Sequence, residues 1–337
     1  MVMTIPKFLE NPIDPIRVEE KSISKLLQEM ENTGYQGRKL GEVASIWKDM
    51  LGDDVTIMLG LSGAMVPAGM RRILSYLIEN RYIDVLVSTG ANLFHDMHES
   101  LGGKHYKGSH LSPDTELYKH GIDRIYDVFA SEEEFRSSDR FAMGFANTLE
   151  ERPYSSREFL SELGKTLSKK GPCILSTAYK AGVPVFCPGI ADSSIGIGLA
   201  VGRKSGKSKA VQIDTIKDVI ETAEIVMASK STGVIYLGGG LPKNFIQQTE
   251  VTSSIFGHDM GGHKYAIQLT TDNPVFGGLS GCTFEEAQSW GKISEKAKKA
   301  IAFCDITIGL PMVSHALIGM KRKKAPKFDF SNGAKII

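Results

Sequence analysis

Near its carboxyl end the chain reads Glu285-Glu286-Ala287-Gln288-Ser289-Trp290-Gly291-Lys292-Ile293. An amine, an indole and a carboxylate in one short segment are the parts of imine chemistry. A lysine desolvated against an aromatic wall sheds its proton more readily, and the neutral amine attacks electrophilic carbon. Small and apolar residues at Phe284, Ala287, Trp290, Gly291 and Ala297 predict a helix from Phe284 to Ala300. That helix would put Glu286 and Trp290 on one face at i and i+4, with Lys292 a little under half a turn further round. Read alone, the segment also fits a surface lysine whose stem covers the indole.

The other chemistry-bearing clusters point less sharply. His95, His98, His105 and His110 fall within sixteen residues, and His95 and His98 are spaced to share a helical face. No HExxH or carboxylate-bracketed set accompanies them, so pocket-lining or interface groups are expected rather than a metal site. Gly202-Arg203-Lys204-Ser205-Gly206-Lys207-Ser208 is one residue short of a P-loop and leads towards a strand instead of opening a helix, which predicts an exposed loop. Lys321-Arg322-Lys323-Lys324 reads as a solvated basic tail.

Apolar runs ending in small residues supply the positioning elements. Val55 to Leu61 leads into Ser62-Gly63-Ala64, Ile83 to Val87 into Ser88-Thr89-Gly90, and Val183 to Phe186 towards Ala191-Asp192-Ser193-Ser194. Val234 to Leu237 ends in Gly238-Gly239-Gly240, Tyr265 to Leu269 in Thr270-Thr271-Asp272, and Ile301 to Ile308 in Gly309-Leu310-Pro311. Amphipathic stretches such as Met70 to Ile78 and Ile216 to Met227 lie between them. This cadence predicts an α/β fold, an open, mostly parallel sheet flanked by helices in the Rossmann-like manner. Ligands gather outside the carboxyl ends of such strands, where glycines admit phosphate and a carboxylate such as Asp192 can hold ribose hydroxyls. No GxGxxG occurs at these turns, and a triple glycine is equally a plain tight turn.

With 337 residues, 42% of them hydrophobic and 23% charged, the chain can bury a large core. No Pro/Ser-rich linker interrupts it, so one domain is expected over residues 1–337, with residues 1–50 a helical extension and residues 320–337 a basic tail. Lys+Arg 40 against Asp+Glu 39 leaves a net charge of +1 without a basic aromatic stripe, which argues against nucleic acid. No run approaches eighteen apolar residues, and Pro6, Glu10, Pro12 and Asp14 do not make a signal peptide, so no membrane partner is expected. The isolated cysteines Cys173, Cys187, Cys282 and Cys304 read as reduced thiols of a cytoplasmic protein.

Several separated motifs together resemble the deoxyhypusine synthase family, in its divergent prokaryotic, deoxyhypusine synthase-like branch. They are Asp84-Val85-Leu86-Val87-Ser88-Thr89, Pro184-Val185-Phe186-Cys187-Pro188 with Asp192, Gly238-Gly239-Gly240 with Lys243, Tyr265-Ala266-Ile267, Gly278-Leu279-Ser280-Gly281, and Glu286 to Lys292. The resemblance runs from about Val55 to Pro311 and is more specific than any one motif. It implies an NAD-dependent transferase that moves the 4-aminobutyl group of spermidine, or a related polyamine, through an imine on an active-site lysine, releasing 1,3-diaminopropane. Lys292 matches that lysine; Glu286 would hold an ammonium or shuttle a proton, and Trp290 would wall the methylene chain.

By the same resemblance NAD contacts fall on Ser62, Ser88, Thr89, Gly90, Asp192, Gly239, Gly240, Thr271 and Asp305. Substrate contacts are expected from Lys243, Asn244, Ser280, His95 and Asp96, with Asp272 and Glu285 as further carboxylates and His95 or His98 as a substitute base. No metal is implied, and a homotetramer with active sites at dimer interfaces is. The eukaryotic enzymes carry a histidine where this chain has Asn244, and acids at positions matching Ile197 and Leu279. The acceptor is accordingly either the lysine of the hypusine-bearing translation factor or putrescine, which would give homospermidine. A non-catalytic NAD-binding paralogue is the third reading, against which the intact Lys292, Glu286 and Trp290 argue.

Overall fold

The structure is a computed structural model that describes residues 9–209 and 211–337. The amino-terminal reading falls partly on residues 1–8, outside the described residues. Six parallel strands form the central sheet, in the spatial order Ile293–Phe303, His263–Thr270, Thr232–Leu237, Thr56–Leu61, Val85–Ser88, Val185–Phe186. Every residue of Thr56–Leu61 and Thr232–Leu237 is buried, as a parallel strand covered on both faces requires. In chain order the sheet grows outward from Thr56–Leu61 in one direction, then returns and grows the other way from Thr232–Leu237. The reversal leaves a topological switch point between these two strands, the site of ligand crevices in doubly wound sheets. Register aligns the edge, pairing Leu61 with both Ser88 and Leu237.

Helices cover both faces. Arg71–Glu79 and Thr215–Ala228 form within a residue or two of where their periodicity predicts, and Asp214 caps the latter by accepting from the backbone N–H groups of Ile216 and Lys217. The described amino-terminal residues form the helices Ile23–Glu31 and Tyr35–Gly52. They bury Leu27, Trp47 and Met50 in the main core, each aliphatic side chain contributing about 1.5–3 kcal/mol. In the chain between the strands Val85–Ser88 and Val185–Phe186, His105–Lys107, Val128–Ser131 and Ile122–Ile125 form a small antiparallel sheet.

Three expectations are corrected. The helix over Phe284 to Ala300 stops at Gln288, and Ile293–Phe303 is the edge strand, so the strand expected at Ile301 to Ile308 begins earlier and gives way to the helix Ile306–Ala316. The segment from Gly202 is not wholly a loop, because Gly202 to Lys204 close the helix Ser194–Lys204. The basic run is solvated except at one residue: Lys321, Lys323 and Lys324 are exposed, whereas the Arg322 side chain is enclosed and donates to the carbonyls of Met50 and Val55 and to the Asp84 carboxylate at 2.8 Å. Phe328–Asp329 then pairs with Lys335–Ile336.

Candidate active site

The residues expected to hold a dinucleotide all fall at the carboxyl ends of the six strands. Ser62 follows Thr56–Leu61, Ser88 ends its strand with Thr89 and Gly90 next, Gly239 and Gly240 follow Thr232–Leu237, Thr271 follows His263–Thr270, and Asp305 follows Ile293–Phe303. Asp192 lies beyond Val185–Phe186, between that strand and the helix Ser194–Lys204. Ser62 ties the switch point together, its hydroxyl donating to the Leu237 carbonyl at 3.0 Å and accepting the Gly239 N–H at 2.8 Å. Gly238 has φ +77, and a Cβ there would lie 2.5 Å from the Ser62 Oγ, so only glycine fits this turn.

The helices Gly90–Ser100 and Gly240–Ile255 both begin at this edge without a side-chain cap. The first N–H groups and dipole of Gly90–Ser100 suit phosphate, and Gly240–Ile255 adds its dipole while Ser62 and Ser280 hold the Gly239 and Gly240 N–H groups. Asp192 is exposed, and among the described residues no side chain engages its carboxylate. Asp305 is partly committed: its Oδ1 accepts from the backbone N–H and hydroxyl of Thr307 at 2.7 and 2.6 Å. The donor set, small backbone turns plus one free carboxylate, fits a dinucleotide.

Lys292 lies at the other end of the edge strand, in the bend between the helix Phe284–Gln288 and Ile293–Phe303. Its backbone N–H donates to Ala287, and its carbonyl accepts the His263 N–H at 3.1 Å. The side chain is only 9% exposed and runs under the helix Gly240–Ile255, where Nζ donates to the Asn244 Oδ1 at 3.3 Å. The Trp290 ring centroid is 5.2 Å from Nζ, although the indole itself is 65% exposed. Lys292, Trp290, Glu286, Asn244, Gln247 and Cys282 line one cavity of about 380 Å³, which Leu279 also borders. The expected trio is thus brought together by a helix and a turn, not by a continuous helical face.

Lys243 and Ser280 form the partition between cavity and crevice. Lys243 is fully buried, and its ammonium donates to the Gln268 Oε1 at 2.9 Å, the Cys282 carbonyl at 2.6 Å and the Ser280 carbonyl at 3.4 Å. Burial, with a smaller contribution from neighbouring Lys292, pushes its pKa down to about 8. Ser280 accepts the Gly240 N–H at 2.9 Å, and Gln268 bridges the Gly238 and Ser280 carbonyls. Lys243 therefore spends its donors on Gln268 and on the carbonyls of Ser280 and Cys282, while Ser280 Oγ holds the start of the helix Gly240–Ile255, so both residues tie the loop Gly277–Cys282 to its surroundings.

Asp96 and the histidines are placed elsewhere. Asp96 is fully buried and accepts from the backbone of Ile174 at 2.8 Å, Leu175 at 3.1 Å and the Arg71 guanidinium at 3.1 Å, capping the helix Ile174–Ala181. His95 contacts His105 at 3.0 Å, and His105 contacts Glu99 at 2.8 Å. Burial, then His105 and His98, hold His95 down at about 3, which leaves it a poor base at neutral pH. Neither Asp96 nor these histidines line the Lys292 cavity. Gln247 and Gln268 escaped sequence reasoning, although Lys243, Gln247 and Glu250 form a polar i, i+4, i+7 stripe that marks a core-facing helix side.

The family described as deoxyhypusine synthase matches residues 25–317. The chain is 56% identical over 331 residues to a protein named probable deoxyhypusine synthase 2 in Methanosarcina mazei, covering 96% of this chain and 95% of that one. It is 57% identical over 304 residues to the protein of that name in Archaeoglobus fulgidus, covering 89% and 99%. A solved structure from Entamoeba histolytica, named as a deoxyhypusine synthase, shares the fold with a TM-score of 0.63 at 17% identity, covering 91% of this chain and 98% of that one.

Proposed function

The chain belongs to the deoxyhypusine synthase family, whose members are aminobutyl transferases, and from that premise we propose that it moves the 4-aminobutyl group of spermidine to the lysine of the hypusine-bearing translation factor. The observation that carries this reading is Lys292, an amine nearly out of water with an indole and a carboxylate around one cavity. NAD bound along Ser62, Ser88 to Gly90, Asp192, Gly239 and Gly240 would supply the hydride acceptor and donor that convert amine to imine and back.

The protein's own residues do the rest. Glu286 holds an ammonium end of the polyamine, and Trp290 covers the methylene chain and attracts cationic nitrogen through its face. The neutral amine of Lys292 adds across the imine C=N to give an aminal; a proton passes from Nζ to the other nitrogen, and 1,3-diaminopropane leaves as the C=N bond to Nζ forms. Asn244 orients Nζ through its carbonyl oxygen. The acceptor amine then repeats the exchange, freeing Lys292 and carrying the imine away for reduction. Putrescine is a second acceptor, favoured by Asn244 and Leu279, which put neutral groups around the cavity where the eukaryotic enzymes carry ionisable ones.

Incubation with NAD, spermidine and either the factor or putrescine, followed by mass spectrometry, tests the acceptor. An unmodified factor beside newly made homospermidine would replace the first reading by the second. Borohydride trapping should place the adduct on the peptide holding Lys292, and Lys292→Arg should lose transfer while still binding NAD, since arginine is no nucleophile. Transfer by Lys292→Arg, or an adduct on Lys243, refutes the role of Lys292.

A further inference from the structure

A polar seam lies buried behind the Lys292 cavity. The inward side of the helix Gly240–Ile255 carries Lys243, Gln247 and Glu250, positions a core normally fills with apolar groups. They face Thr232 and Tyr236, which share one face of the strand Thr232–Leu237, together with Gln268 and His263 of the neighbouring strand. The Nδ1 of His263 is 3.0 Å from Glu250 Oε1 and 2.7 Å from Thr232 Oγ1, which itself lies 3.1 Å from Glu250. All three residues are 3% exposed or less.

The seam is only half satisfied. Glu250 Oε2 and His263 Nε2 are buried without a protein hydrogen-bond partner, and the Tyr236 hydroxyl lies against the Gln247 amide beside them. Polar atoms without protein partners at such depth oppose stability, and these cluster beside the amine site. Gln247 lines the Lys292 cavity, and the His263 backbone holds the Lys292 carbonyl, so the seam abuts the amine site at both points. The titratable groups around the pair are Tyr236, Lys243 and Cys282, with Glu286 and Lys292 in the cavity beyond.

We propose that Glu250 and His263 form a buried proton store for the amine chemistry at Lys292, linked to the cavity through the Tyr236 hydroxyl and internal water oriented by Gln247. This rests on the aminobutyl-transfer reading. An incoming ammonium sheds one proton before its nitrogen attacks; the carboxylate–imidazole pair takes that proton and returns it to the departing amine. No group is oxidised or reduced, and one proton is gained and then lost by the pair. Glu250 and His263 act through other groups and are positioning residues.

The first measurement needs no turnover. The intact protein is acetylated with a succinimidyl ester across a pH series, and labelling of Lys292 is quantified by mass spectrometry against exposed Lys119. Glu250→Gln removes the proton acceptor without changing shape, and should lower the pH of half-maximal Lys292 labelling by about half a unit or more. Coincident profiles in a variant that melts like the wild type overturn the proposal. In turnover, Glu250→Gln should lower kcat about tenfold to a hundredfold with KM little changed, and raised pH should restore the loss as hydroxide takes over the proton. A loss that pH does not restore also overturns it. If Glu250→Gln does not fold, Tyr236→Phe removes one hydroxyl and must reproduce the pH-restorable loss. Should the wild type fail to transfer aminobutyl at all, the functional reading fails, while the labelling profiles still decide whether the seam is coupled to Lys292.

Discussion

Replacing Lys243 by methionine separates a structural lysine from a substrate-binding one. The wild-type ammonium sits out of water with three carbonyl-type acceptors, and its pKa of about 8 lies below the ordinary 10.5. Below pH 8 the side chain is charged in both folded and unfolded chains, and folding must strip water from it. Between about 8 and 10.5 the unfolded chain binds a proton that the folded one does not, so stability rises with pH; above 10.5 both are neutral and the penalty is gone. The gap of about 2.5 units corresponds to about 3 kcal/mol. Lys243→Met removes this titration but strands the Cys282 carbonyl and the Gln268 oxygen, at about 1–3 kcal/mol each. Near neutral pH the two effects nearly cancel. Urea unfolding of both proteins from pH 7 to 10.5 should therefore show the wild type gaining about 3 kcal/mol on the variant. A constant difference would refute the buried, charge-penalised geometry. A raised KM with no stability change at any pH would restore Lys243 to the substrate site.

Asp192→Ala should weaken NAD binding at least about tenfold, or about 1.4 kcal/mol, in calorimetric titration; unchanged affinity removes Asp192 from the crevice. Asp218 is buried and its carboxyl is pushed up to about 7, burial outweighing the Ser156 N–H it accepts at 2.8 Å. Its contribution is present below the unfolded value near 3.8 and is lost as pH rises through 7, because only the unfolded chain ionises freely in that window. Relative to Asp218→Asn, the wild type should lose up to about 4 kcal/mol between pH 4 and pH 7, measured by denaturant midpoints. A pH-independent difference would show that the carboxyl is not held protonated.

The central sheet, and the edge where its small residues gather, were legible in the apolar runs alone. Runs such as Val55 to Leu61 and Val234 to Leu237 are too apolar and too short for anything but doubly covered strands, and the small residues after them had to fall on one edge once the strands were parallel. Lys292, Glu286 and Trp290 were legible as a set because they are close in sequence. The geometry joining them was not, since Ile293 to Phe303 contains Lys296, Ala297, Lys298, Lys299 and Ala300, which suit a helix as well as an exposed strand. Tertiary structure decided it: pairing with His263–Thr270 outweighs local preference, and the edge lysines find Asp49 and Glu285. Whether Lys243, Asp96 and Arg322 were free for ligands was likewise beyond the sequence. A charged residue's role depends on which carbonyls, N–H groups or opposite charges surround it, and for these three the partners come from segments distant in the chain. The seam of Glu250 and His263 is the same case, polar residues thirteen positions apart that become one unit only where a helix closes over two strands.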